Sequence, residues 1–166
     1  MLKRLDLKLT PEEVDYEVIE AGSPIHPKNR ILLDYWLGKM GPDGVVQRSA
    51  INPLDFRKIL GGVFLVEPVD DGQDLVYRLV GSENEHRFSK TYTGRRFTEC
   101  YGKAMADDQI AFHHRVFAAG KPAFLRGRMK GTDVDHAQFE ASYLPLRTDS
   151  GGYQMLGGMF DMAEPE

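Results

Sequence analysis

The sequence has few of the features by which several classes of protein are recognised. It contains one cysteine, Cys100, among 166 residues, which excludes an internal disulfide and a metal site built from several thiolates. No apolar run approaches the roughly 18 residues of a membrane-spanning helix, and the amino terminus lacks the apolar stretch and cleavage site of a secretory signal. We therefore expect a cytoplasmic protein without membrane insertion.

The sequence motifs of common enzymes are also missing. The chain has no Gly-rich phosphate loop, no GxSxG nucleophile elbow and no HExxH zinc helix. Its net charge of −4 argues against nucleic-acid binding, although Arg95, Arg96, Arg126, Arg128 and Lys130 form short basic stretches. We therefore expect a protein that is not an enzyme and does not bind nucleic acid.

The length and composition are typical of one globular domain. A chain of 166 residues that is 42% hydrophobic and 28% charged is long enough for a single core. Residues 1–26 alternate weakly and carry a helix-start signal at Pro11, and we predict a partly ordered arm. Residues 27–61 are predicted to form leading helices, the first amphipathic and the second opened by an Asn52 cap and closed by Gly61.

From residue 62 onward the pattern changes to short runs with a period of two. Two such runs flank the turn at 70–73 and predict a hairpin, and the second ends at Gly81 and Ser82, which predict a turn and a helix cap. Helices follow, the longest over 104–119, and then three more strands at 122–129, 137–146 and 153–162. The sequence predicts an α+β domain over 62–163 with a five-stranded antiparallel sheet and a helical insert between strands two and three.

This order of elements, with the residues that separate them, resembles the PAS domain. The matching fragments are LLDYW, INPLDFRKILGGVFLVEPV, YRLVGSENEHRF and TYTGRRFTE, followed by Pro145-Leu146 and GGMFDM at 157–162. They extend from about Asn29 to Met162 and resemble, more narrowly, a bacterial group of single-domain PAS proteins. The resemblance implies a non-catalytic sensory or adaptor domain.

In PAS proteins the inner face of the sheet and the long helix enclose a ligand cavity. The resemblance therefore implies a small-molecule site here, with polarity from a tyrosine or a histidine and with ligand and cofactor unknown. The residues that we predict to line it are Tyr77, Leu79, Phe88, Phe97, Ile110, His113, His114, Phe117, Tyr143 and Leu156.

The outer face of a PAS sheet and the leading helix mediate dimerisation and signal transfer. We predict a homodimer through Ile31, Leu32, Tyr35, Trp36 and Met40, with the alternative that this helix folds over its own core. The Asp161-Met162 pair resembles the Asp-Ile/Val-Thr ending that passes a signal to an effector. Since the chain ends four residues later, we expect a separate signalling protein as partner.

Two alternatives involve the histidines of the long helix. His113 or His114 could bind haem as in some PAS sensors, but adjacent residues lie about 100° apart on a helix and cannot both reach one metal. We predict no bound metal. An Asp107/His114 pair could instead serve a small cone-shaped α+β enzyme with a catalytic pocket.

Other chemistry-bearing residues have simpler explanations. Arg78, Arg126 and Arg128 could hold an anion together with Glu140, or they could pair with carboxylates across strands on the outer face of the sheet. Cys100 could form a flavin adduct, but its surroundings do not resemble those of photosensing PAS domains. We expect a buried structural cysteine.

Overall fold

The structure of the protein is a computed structural model that describes residues 15–88, 91–130 and 138–162, without the side chains of 15, 16, 87, 88, 129 and 130. Six strands form one antiparallel sheet in the order β1-β4-β5-β6-β2-β3. The strands are β1 Asp15–Ala21, β2 Val63–Val69, β3 Asp74–Val80, β4 Ala123–Lys130, β5 Gln138–Arg147 and β6 Tyr153–Asp161. With its helices, the chain has the α+β fold that the sequence predicts.

Four α-helices accompany the sheet. They are α1 Pro27–Gly38, α2 Ser82–Phe88, α3 Phe97–Cys100 and α4 Lys103–Ala119. His26 caps the amino end of helix α1, and its imidazole Nδ1 accepts a hydrogen bond from the Lys28 amide. Pro27 is the first residue of the helix. Helix α4 ends at Gly120, which has a left-handed φ of 65°. Short 3-10 turns at 48–50, 53–56 and 60–62 connect α1 to the sheet.

The sheet is the middle of three layers. One face packs against α1 and the 3-10 turns, in a core that includes Leu32, Trp36 and Leu144. The other face packs against α2, α3 and α4, in a core that includes Phe97 and Val116. Because side chains along a strand point alternately to the two faces and both faces are covered, the central strand β5 is buried at seven of its ten positions.

The predicted five strands and the helical insert between the second and third of them are confirmed, but a sixth strand was missed. The segment 15–21, which we assigned to an arm, forms β1 and pairs with β4 from Asp15↔Lys130 to Ala21↔Phe124. Its sequence is charged and only weakly alternating, and the strand exists because β4 offers an edge with which to pair. The predicted helix start at Pro11 lies outside the described residues.

A buried carboxylate fixes the start of α1 to the sheet. Glu140 on β5 is fully buried and accepts hydrogen bonds from the amides of Ile25 and His26, from Asn29 Nδ2 and from Arg126 Nε, at 2.9 to 3.1 Å. Burial alone raises the pKa of Glu140, but these donors together hold it below its usual value. The predicted leading helix is therefore held against the sheet by hydrogen bonds to a buried carboxylate.

Candidate functional site

A cavity of about 410 Å³ lies between the sheet and the helical layer of α2, α3 and α4. Every strand and the helices α2 and α4 contribute to its wall. The lining residues are Val18, Glu20, Phe64, Tyr77, Val80, Asn84, Tyr92, Tyr101, Ala104, Met105, Asp108, Gln109, Phe112, His113, Arg115, Leu125, Phe139, Tyr143 and Met159. The volume falls within the range of small-molecule sites, about 300–1,000 Å³.

Aromatic rings form much of the wall. Tyr77 stacks on Phe97 with ring centroids 4.6 Å apart, and Phe112 meets Tyr143 edge to face at 4.8 Å. The hydroxyls of Tyr77 and Tyr101 are hydrogen-bonded to each other at 2.6 Å. The aromatic side chains make the wall mostly apolar. Because their contacts fix the rings in place, the wall is also largely pre-formed.

His113 of α4 is the most deeply buried polar group of this wall. Its side chain is 1% exposed, and its ring Nδ1 donates a hydrogen bond to the main-chain oxygen of Gln109 at 2.7 Å. Burial lowers the pKa of His113 to about 4. The imidazole is therefore neutral at pH 7, and its proton is on Nδ1 because the carbonyl can only accept. The buried Nε2 is left as an acceptor that has no hydrogen-bond partner in the described part of the chain.

Gln109 lies one turn before His113 on the same face of α4. Its side-chain Nε2 is also buried without a hydrogen-bond partner. The two residues thus bring an amide donor and an imidazole acceptor to the wall of the cavity, four positions apart in sequence.

The charged residues of the wall lie at its exposed rim. Arg115 of α4 pairs with Glu20 of β1, and the side chains are 63% and 59% exposed. The Arg115 guanidinium also lies over the ring of Phe112, 5.2 Å from its centroid. With Asp108, which is likewise exposed, these are the formally charged residues in the described part of the lining. The described interior of the cavity wall is therefore uncharged, and β1 and α4 meet at its mouth.

Three of the predicted cavity residues line this space, namely Tyr77, His113 and Tyr143. Three more, Phe97, Ile110 and Phe117, are buried in the core on the same side of the sheet without lining the cavity. The side chain of Phe88, also predicted, lies outside the described part of the structure.

Leu79 was placed wrongly, on the cavity side. It packs in the core against α1, although Tyr77, two residues earlier, faces the cavity. The pairing shifts between Leu65↔Leu79 and Val66↔Tyr77, which leaves Arg78 as an extra residue. This β-bulge reverses the alternation, so positions two apart point to opposite faces.

Leu156 and His114 also lie outside the cavity. Leu156 pairs with Leu65 and Leu144 and packs on the α1 side, whereas Met159 of the same strand faces the cavity. The sequence could not show which set faced inward, because both are apolar. His114 Nε2 donates to the main-chain oxygen of Gly72 at 2.7 Å.

Several lining residues were missed by sequence reasoning. Phe112 precedes the predicted His113, and Met105 and Gln109 lie eight and four positions before it. Residues at these spacings share a helix face, so the spacing of α4 could have identified Gln109 once His113 was chosen. Val18 and Glu20 could not be found in this way, because the strand that carries them was not predicted.

The predicted dimer residues divide between the interior and the surface. Leu32 and Trp36 are 0% and 1% exposed, and Trp36 Nε1 donates to the Pro145 main-chain oxygen at 3.0 Å. Tyr35 is half-buried and donates to Asp55 at 2.8 Å, whereas Ile31 and Met40 are exposed. Leu32 and Trp36 cannot contact a second copy while α1 stays on the sheet, which corrects their assignment to a dimer interface.

The predicted arginine cluster forms pairs with carboxylates. Arg126 pairs with Glu140 at 3.0 Å, and Arg128 pairs with Glu17 at 3.5 Å. The first of these pairs joins opposed residues of β4 and β5, and the second joins opposed residues of β1 and β4. Arg78 pairs with Glu67 of the neighbouring strand. The structure therefore favours cross-strand pairing over an anion site.

The other chemical candidates are also separated in space. Asp107 accepts a hydrogen bond from Lys103 on the exposed side of α4, and His114 bonds to Gly72, so the two do not form a catalytic pair. Cys100 is buried.

The described parts of the chain contain neither a candidate metal cluster nor a candidate membrane-spanning helix. Within residues 15–88, 91–130 and 138–162, no three His, Cys, Asp or Glu side chains are grouped so that they could hold a metal ion. No helix in the same ranges has both the length and the apolar character needed to span a membrane.

Comparison with known proteins agrees with the fold. No curated protein matches the chain. The family model of the PAS domain matches residues 25–160, which covers α1, the five predicted strands and the whole helical layer, and leaves out β1. The match covers well over half of the sequence, and the chain therefore belongs to the PAS domain family.

Proposed function

We propose that this protein is a non-catalytic sensory or adaptor domain that binds a small molecule in the cavity between its sheet and α4. PAS domains are in general sensory and signalling domains. The observation that carries the proposal is the cavity of about 410 Å³ with mostly apolar, aromatic walls and a few buried polar atoms. These are the properties of ligand sites in proteins.

A ligand of modest size suits this volume. The volume of about 410 Å³ lies near the lower end of the range of small-molecule sites, about 300–1,000 Å³. This volume favours a ligand smaller than haem, although His113 has the buried neutral imidazole that a haem would need.

We propose that ligand binding in the cavity is transmitted through the sheet to the opposite face. The cavity side and the α1 side share the same strands, so a ligand that moves β2 or β5 also shifts the surface against which α1 packs. The exposed apolar residues Ile31 and Leu37 of α1, and Met40 just after it, are then the part of the outer layer that a signalling partner or a second copy can contact. The partner, the homodimer and the cytoplasmic location remain predictions.

Filling the cavity tests the proposal. Leu125 lines it from β4, and Leu125→Trp adds bulk inside, whereas Leu125→Met nearly conserves volume. We expect some members of a fragment collection of 10–15 non-hydrogen atoms to raise the melting temperature of the wild type and Leu125→Met, since a ligand stabilises the state that it binds. Leu125→Trp should fold without this response.

Native mass spectrometry of protein purified under mild conditions provides a second measurement. A small molecule that leaves on denaturation should accompany the wild type and Leu125→Met and be missing from Leu125→Trp. The proposal fails if no fragment stabilises the wild type, or if the fragments stabilise all three proteins equally, since binding is then outside the cavity.

A further inference from the structure

Two polar atoms on one face of α4 distinguish this cavity from a purely apolar pocket. His113 Nε2 and Gln109 Nε2 are buried and have no hydrogen-bond partner among the described residues, and both residues line the cavity. Buried polar groups in proteins are nearly always satisfied, and an unsatisfied one costs about 1–3 kcal/mol. A pair of such atoms in the wall of a ligand-sized cavity indicates the polar end of a ligand.

The hydrogen-bonding character of each atom is determined by its surroundings. His113 Nδ1 donates to the Gln109 main-chain oxygen at 2.7 Å, so Nε2 carries the lone pair and can only accept. The side-chain Nε2 of Gln109 can only donate. The same α-helical turn therefore presents one acceptor and one donor, which match a group that both donates and accepts.

We propose, as an extension of the proposed function, that the cavity selects an uncharged, mostly apolar molecule with one hydroxyl group, whose O–H donates to His113 Nε2 and whose oxygen accepts from Gln109 Nε2. A hydroxyl is the smallest group with both capacities. The aromatic walls formed by Phe112 and Tyr143 contact the apolar remainder.

The charges of the site exclude ionic ligands from the interior. The formally charged lining residues, Glu20, Asp108 and Arg115, are exposed at the rim, and Arg115 is paired with Glu20. A carboxylate inside would face the His113 lone pair without a buried cation, and its desolvation would not be compensated. A ligand that is purely apolar would leave both α4 atoms unsatisfied.

A series of naphthalenes tests the proposal, because the ring system has ten carbons and fits the volume. The probes are 2-naphthol, which donates and accepts, 2-methoxynaphthalene, which only accepts, naphthalene, which does neither, and 2-naphthoate, which is anionic at pH 7.5. We expect 2-naphthol to bind about tenfold more tightly than naphthalene in calorimetry, with the methyl ether between them and 2-naphthoate weakest. Only 2-naphthol should shift the nitrogen-15 resonance of His113 Nε2.

Substitutions assign the preference to the two residues. His113→Phe removes the acceptor and Gln109→Met removes the donor while keeping its main-chain oxygen. Each variant should still bind naphthalene but lose about threefold to tenfold of its preference for 2-naphthol. Gln154→Met is the matched control, since Gln154 has a buried unpartnered oxygen of its own but does not line the cavity. It should keep the full preference.

The outcomes separate this inference from the proposed function. Equal binding of 2-naphthol and naphthalene by the wild type, or a preference that survives in both His113→Phe and Gln109→Met, overturns the hydroxyl assignment and leaves the cavity as a ligand site. Failure of all four probes overturns the hydroxyl assignment as well. If the fragment collection also fails to stabilise the wild type, the proposed function falls with it.

Discussion

His113 is a histidine that the fold keeps neutral. Phe97, Phe112, Phe117 and Tyr143 surround its ring, with centroid distances of 5.3 to 6.4 Å, and its side chain is almost completely buried. These surroundings cannot solvate an imidazolium, which is why the pKa of His113 falls to about 4. The low pKa of His113 makes the free energy of unfolding depend on pH, and this dependence can be measured without any ligand.

We predict that the free energy of unfolding decreases as the pH falls from 6.5 towards 4. In this window the unfolded histidine, with a pKa of about 6.5, binds a proton that folded His113 does not, so acid favours the unfolded state. From these two values the loss between pH 7 and pH 5 is about 2 kcal/mol. Urea unfolding at pH 7, 6 and 5 measures it.

The variant His113→Phe serves as the comparison for this pH dependence. It lacks the titrating group, so its free energy of unfolding should change by about 2 kcal/mol less than that of the wild type over the same range. Glu67 and Glu140 have lowered pKa values and act mainly below about pH 4.5, outside the range from pH 7 to pH 5. Equal slopes for the two proteins would show that His113 has the same pKa in the folded and unfolded states, which would contradict the prediction.

At the level of residues, the sequence predicted features that follow from local periodicity and did not predict features that depend on three-dimensional packing. Periodicity predicted the long helix that carries His113, and pairing with carboxylates across strands was one of the two interpretations of Arg126. The position of Leu79 could not be predicted, since it depends on a β-bulge whose extra residue, Arg78, carries no sequence signal. The unpartnered state of Gln109 Nε2 depends equally on atoms that only the folded chain brings near.

Among the elements, the junction of β3 and α2 brings two stretches of backbone into close contact. A Cβ at Gly81 would lie 2.3 Å from the main-chain oxygens of both Leu60 and Gly61, and the Gly81 amide donates to the Val63 oxygen at 2.8 Å. Main-chain atoms in the turn before β2 cannot move aside as a flexible side chain would. The glycine is therefore required for close approach of two backbones.

We predict that Gly81→Ala destabilises the protein by about 1–3 kcal/mol, because the added methyl group overpacks against backbone. Thermal and urea unfolding measure the difference. Gly38→Ala is the matched control: this glycine ends α1, and its added Cβ would have no heavy atom within 4 Å. It should be neutral or stabilising by up to about 1 kcal/mol. Equal effects of the two substitutions would contradict the proposed clash.

The elements inside the family match were predictable, and the one outside it was not. Turn residues and apolar runs located β2 to β6 and α4, since these signals are local in sequence. Strand β1 has few such signals and Ile19 on it is 68% exposed. Its existence depends on pairing with β4, more than 100 residues away, and such long-range pairing leaves no local pattern. Because β1 was not predicted, its residues at the mouth of the cavity were not predicted either.

The whole molecule is organised around a sheet that is covered on both faces. Periodicity showed that α1 has an apolar stripe but not what covers that stripe, because a dimer and an intramolecular core need the same residues. In the folded chain the stripe meets β5 and β6, and the network of Glu140, Asn29 and Ser142 fixes the first turn of α1 to β5. The packing of α1 on the sheet therefore contributes to the stability of the domain.

The last prediction concerns the consequence of disrupting this layer. Trp36→Ser removes a fully buried ring and its hydrogen bond to the Pro145 oxygen, and we expect a loss of about 3–5 kcal/mol in the free energy of unfolding, visible in circular dichroism melts. Ile31→Ser changes an exposed position of the same helix, 52% accessible, and should alter stability by less than about 0.5 kcal/mol. If Trp36→Ser instead kept its melting temperature and light scattering showed a dimer turned into monomers, α1 would be an interface and not a core layer.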